Sequence, residues 1–185
     1  LKSASRSLLR RLDDVGLQSQ GQNSDSSSEL GTSVPLINSS LHQIAALSGK
    51  LAGDWRQERW ELVANDANQM LSYLPSLVNE AIKAMTGLNR SCDQAQLQGC
   101  LRTVLEATDV LSDNLLNRIR KYADEDKEDT AAPISEHADQ LRQACRDLLN
   151  CVDELSMRQG SLNSQVATIH AACAKVRLFQ LIVVT

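Results

Sequence analysis

The chain has 185 residues, 23 Asp and Glu against 19 Lys and Arg, and a formal net charge of −4. That length supports one domain with a real core or two small ones, and the acidic balance, with basic residues scattered among acids, excludes a basic nucleic-acid-binding face. Aromatics at 3% disfavour an all-β domain, while the abundance of Leu, Ala, Gln and Arg with only three Pro favours helices. The first residue is Leu1 rather than Met, as expected of a fragment or processed chain.

Residues 1–15 contain an amphipathic helix, with Leu8, Leu9, Leu12 and Val15 on one face and Arg10, Arg11, Asp13 and Asp14 on the other. Apolar anchors at this spacing suit helix-in-groove recognition. Three readings stay open: an extra bundle helix, a recognition helix docking on a partner, or a frayed end. Residues 16–33, GLQSQGQNSDSSSELGTS, are too polar to offset the cost of ordering and read as a flexible linker. Within it, Ser26, Ser27 and Ser28 precede Glu29, a context that acidophilic kinases accept.

A helical-bundle domain is expected over 34–185. Pro35 suits a first helical turn, and Leu36, Ile37, Leu41, Ile44 and Leu51 come after it at three- and four-residue steps. Gly49 and Gly53 weaken the end of that helix, and Asp54 with Gln57 has the spacing of a capping box that starts the next. Trp60, Val63, Ala67, Met70, Leu74, Val78 and Met85 then define one face. Trp60 matches this core stripe, whereas Trp55 is expected to be partly exposed and to serve as an interface anchor or an end cap. Pro75 predicts a kink and Gly87 a stop.

Ser91 with Gln94 gives a second capping-box spacing, succeeded by Leu97, Leu101, Val104, Leu105, Thr108, Leu111, Leu115 and Ile119 up to about Tyr122. The acidic stretch 123–133 reads as a solvated loop, with Ser135 placed to cap the last helical segment. That segment carries two stripes, Leu141 to Leu155 and Leu162 to Val176, with Gly160 between them. Either two helices meet there or one long helix passes through; so tight a turn is unusual, which favours one helix.

The fold expected is therefore all-α: an antiparallel bundle of four to five long helices with a short N-terminal helix on a flexible linker. The stretches VLEATDVLSDNLLNRIRK (104–121) and ADQLRQACRDLLNCVDEL (138–155) resemble talin rod segments, the vinculin and α-catenin family and focal-adhesion-targeting bundles. The resemblance implies a cytoplasmic scaffold or adaptor that binds helical peptides or cytoskeletal and adhesion proteins, without catalysis.

No phosphate loop is present, and the five cysteines lack a CxxC pair. They read as buried apolar residues in a reducing compartment. His170 and Cys173 share a face but find no second ligand pair, so neither a metal nor another cofactor is expected. Two alternatives to the scaffold reading are a self-associating module, suggested by the apolar LFQLIVV stretch at 178–184, and a membrane-surface bundle, which the acidic balance disfavours.

Overall fold

A computed structural model describes residues 7–14, 26–88, 90–122 and 131–183; at 26–29, 120–122, 131–132 and 172–183 only the backbone is described. The described chain is helical apart from short turns and forms five helices: α1 (7–14), α2 (Ser26–Arg56), α3 (Trp60–Thr86), α4 (Ser91–Tyr122) and α5 (Ala131–Val183). Helix α2 packs on α3 and α5, and α4 packs on α5, whereas α3 and α4 meet much less closely. Helix α1 bridges that gap, so the five helices close around one core.

Periodicity explains each helix. Helix α2 buries Leu30, Ile37, Leu41, Ile44 and Leu51. Helix α3 buries Val63, Met70, Leu74, Leu77 and Val78, and α4 buries Leu97, Leu101, Val104, Leu105 and Leu111. Helix α5 contributes Ile134, Ala138, Leu141, Cys145, Leu148, Val152 and Leu155. Side chains three and four apart share one helix face, so such stripes form the core. Hydroxyls enter that core at little cost because the helix backbone accepts them: Ser48 Oγ donates to Ala45 O at 2.9 Å and Thr108 Oγ to Val104 O at 2.8 Å.

Several boundaries differ from the sequence reading. Helix α2 begins at Ser26, inside the stretch read as linker, and already buries Leu30 and Ser33. Pro35 therefore lies inside α2 rather than in its first turn. Asp54 does not start a helix: it lies in the last turn of α2, where its carbonyl accepts the Gln57 and Arg59 amides at 3.2 and 3.0 Å. Together with Glu58 N–H to Trp55 O at 3.1 Å, this is a Schellman closure, with Glu58 at φ 55° in the position that favours glycine. Gly49 lies within α2 where Arg142 of α5 comes close, and a Cβ there would meet Arg142 Nη1 at 3.2 Å.

The second expected box also works otherwise. Gln94 Nε2 donates to Met85 O at 3.1 Å and Leu88 O at 2.9 Å, satisfying carbonyls at the end of α3. Helix α5 starts at Ala131, so Pro133 and Ser135 are in its first turns; Ser135 Oγ accepts from Arg56 Nε at 3.1 Å. Ile119, expected on the α4 stripe, is exposed. Helix α3 continues through Pro75, and α5 continues through Gly160 as one helix of 53 residues, roughly 80 Å long.

Candidate interaction surface

Helix α1 has only two turns, too few to hold itself together in water. Its order comes from what it packs against. Leu12 is fully buried and Leu8 nearly so, with Leu9 partly buried beside them, while Ser7, Arg10, Arg11, Asp13 and Asp14 are exposed. Polar contacts fix its position in the gap: Arg11 Nη2 donates to Asn79 Oδ1 on α3 at 3.0 Å, and Gln98 Nε2 on α4 donates to the Leu12 carbonyl at 3.2 Å. Asp13 pairs with Arg102 of α4.

The docking is nonetheless modest in strength. Burying a leucine side chain stabilises by about 1.5–3 kcal/mol. Ordering the helix costs backbone entropy that opposes this gain, and an exposed ion pair adds only about 0–1 kcal/mol. The α3–α4 groove thus holds an amphipathic helix through two leucines and a few polar pins, which is the geometry of helix-in-groove recognition.

Leu8, Leu9 and Leu12, weighed in the sequence as partner-binding residues, therefore lie on this chain's own bundle; Val15 lies outside the described residues. The two tryptophans exchange the roles expected of them. Trp55 is 2% exposed and part of the core, whereas Trp60 is 37% exposed. Their rings meet edge to face with centroids 4.9 Å apart at the α2–α3 turn. Because α2 runs to Arg56, Trp55 stays in phase with Ser48, Leu51 and Ala52 and turns inward. Trp60 is the first residue of α3 and lies at the rim.

Charged groups tie the helices at the surface of the core. Asp66 of α3 is fully buried and accepts Lys50 Nζ of α2 at 2.8 Å. That hydrogen bond, helped by the charge of Asp66 and of Asp54, raises the Lys50 pKa above its ordinary value against a smaller desolvation effect. Glu80 is held below the usual carboxylate range, chiefly by Lys83 at 2.7 Å and also by Ser33 Oγ at 3.1 Å. Asp93 opens α4 and pairs with Arg158 of α5 at 3.3 Å.

These groups do not assemble a reaction centre. Burial pushes the Cys145 and Cys151 thiols up to about 12, the opposite of an activated nucleophile, with the neighbouring Cys100 adding to the effect at Cys151. Among the described residues no three His, Cys, Asp or Glu side chains come together as metal ligands. His170 is exposed, and the Cys173 side chain lies outside the described residues. A surface concavity along α5 is lined by Ser135, Glu136, Asp139, Gln140, Gln143 and Arg146, all polar and all from one helix. No helix of the described residues is long and apolar enough to cross a membrane.

Comparison with known proteins agrees with this architecture. The family model described as talin 1-like, rod segment domain, matches residues 5–160, and the chain belongs to that family. No curated protein matches the chain. The matched span contains α1 to α4 and the half of α5 that packs in the bundle.

Proposed function

We propose that this member of the talin 1-like rod segment family is a cytoplasmic scaffold or adaptor module, not an enzyme. On this reading it binds amphipathic helices of adhesion or cytoskeletal proteins in the α3–α4 groove. The observation that carries the reading is the seat of α1: a two-turn amphipathic helix held across the gap by Leu8, Leu12 and three polar contacts. A partner helix with leucines four residues apart meets the same groove and displaces α1. Resident occupancy lowers a competitor's apparent affinity by the fraction of time that the groove stands open.

The serines at 26–28 fit a regulatory role. They open α2, and a phosphate in the first turn of a helix is favoured by the positive end of its dipole; the same stretch follows closely in sequence the segment that leads from α1.

The test uses the full chain and a fluorescent peptide of residues 3–15. In the Leu8→Ala/Leu12→Ala variant the resident helix is weakened, and the peptide is expected to bind at least about tenfold more tightly than to the unaltered chain. Circular dichroism confirms that the bundle persists. Equal or weaker peptide binding by a folded variant would sink the displaceable-helix reading.

A further inference from the structure

Helix α5 carries one apolar register from end to end. Its buried stripe from Ile134 to Leu155 advances in alternating steps of four and three residues. The same steps continue at Gln159, Leu162, Val166 and Ile169, and in the sequence at Cys173 and Val176. A sustained repeat of this kind, averaging 3.5 residues per turn, is the seam of a left-handed coiled coil. The first part of the seam is covered by α2 and α4. Beyond Gln159 that cover ends: every residue from 160 to 171 is exposed, including Leu162 at 38%, Val166 at 51% and Ile169 at 60%. The family match stops at the same place, residue 160.

The charge of the projecting part changes as well. Residues 160–185 contain Lys175 and Arg177 and no Asp or Glu, in a chain whose net charge is −4. The positions flanking the seam are Asn163, His170 and Arg177 on one side and Gln165 and Ala172 on the other. Coiled-coil partners are selected by charge pairs at these flanks. A second copy of this segment supplies no acid to pair with Arg177.

From the continuous register and the acid-free flanks we infer that the projecting half of α5 is a second docking site. It takes one helix of another protein, with apolar residues at alternating three- and four-residue spacing and Glu or Asp beside them. The site is separate from the α3–α4 groove and does not rest on the reading of α1. Gln159 marks the junction, since its buried amide donates to Asn163 Oδ1 at 3.2 Å and replaces an apolar core residue where the bundle ends. Arg158, paired with Asp93 and Glu154, ties the helix to the bundle just before it leaves.

The test measures anisotropy of two labelled helical peptides with the full chain. Both carry Leu at the seam positions; one has Glu at the flanks and the other Lys. The Glu peptide is expected to bind at least about tenfold more tightly, with the gap narrowing as salt rises. Val166→Asp is expected to reduce Glu-peptide affinity by about tenfold or more without changing the thermal melt of the bundle, because Val166 is exposed in the free chain. The Leu8→Ala/Leu12→Ala variant should bind the Glu peptide as the unaltered chain does, so this site and the α1 groove fail independently.

Equal binding of the two peptides, or indifference to Val166→Asp, overturns the proposal. So does a dimer of the free chain, seen by ultracentrifugation, that Val166→Asp dissolves, since a second copy then covers the seam. Co-sedimentation with phosphatidylserine vesicles that Val166→Asp abolishes also overturns it, in favour of a lipid surface.

Discussion

The two halves of α5 share a sequence pattern and differ in everything that pattern usually brings. Up to Leu155 the stripe lies in the core, against α2 and α4. From Leu162 to Ile169 the stripe has the same spacing and comparable residues, and stands in solvent. Periodicity therefore reports which face of a helix is meant to be covered and does not report what covers it. In the first half the cover comes from the same chain. In the second the described residues supply none, and an unassisted helix of that length gains little stability of its own.

The largest expected contrast comes from truncating the same stripe on either side of Gly160. Leu148→Ala, at a fully buried position, should cost about 2–5 kcal/mol in urea unfolding monitored by tryptophan fluorescence. Ile169→Ala, at an exposed one, should stay within about 0.5 kcal/mol of the unaltered chain. A comparable loss at Ile169 would mean that the outer half already has a cover.

Thiol chemistry gives a second contrast. With burial pushing the Cys145 and Cys151 thiols up to about 12, their thiolate fraction at neutral pH lies well below that of an unperturbed thiol. A soluble maleimide should label exposed Cys92 in the native chain and reach Cys145 and Cys151 only on unfolding, as read by peptide mass mapping. Native labelling of Cys145 at the Cys92 rate would show that the inner half of α5 opens.

The smallest effect is expected at the junction. Gly160 lies in open space within a continuous helix, so Gly160→Ala should strengthen helix continuity by about 0.5–1 kcal/mol without a clash. Helicity measured by circular dichroism should rise slightly; a fall would mean that the residue needs glycine's freedom.

Much of the bundle was legible because four helices carry long, regular stripes, and the continuity of α5 through Gly160 was implied by the tightness of the alternative turn. The errors came from local signals that tertiary packing outweighed. Asp54 and Gln57 have the spacing of a capping box, yet α2 was already stabilised by Leu51 and Trp55 on its buried face and continued through Asp54. That misplaced boundary also reversed the tryptophans, since Trp55 falls in phase with Leu51 only if α2 runs on. The polar composition of 16–33 concealed the start of α2, where two inward residues, Leu30 and Ser33, are enough once α3 lies alongside; Ser33 donates to Glu80 there.

The sequence identified the face of α1 that packs inward, with Leu8, Leu9 and Leu12, and left open what it packs against. Leucines spaced for a groove look the same whether the groove belongs to the same chain or another. The gap between α3 and α4 is a property of tertiary arrangement, with no counterpart in either helix's own pattern.

The contrast between the two halves of α5 is tested most directly by native-state hydrogen exchange of the full chain, read by mass spectrometry. Amides at 138–155 are expected to show strong protection, approaching that of global unfolding, and those at 161–171 to exchange faster by orders of magnitude. Equal protection in both windows would contradict this picture, because the outer seam would then already be covered in the free protein.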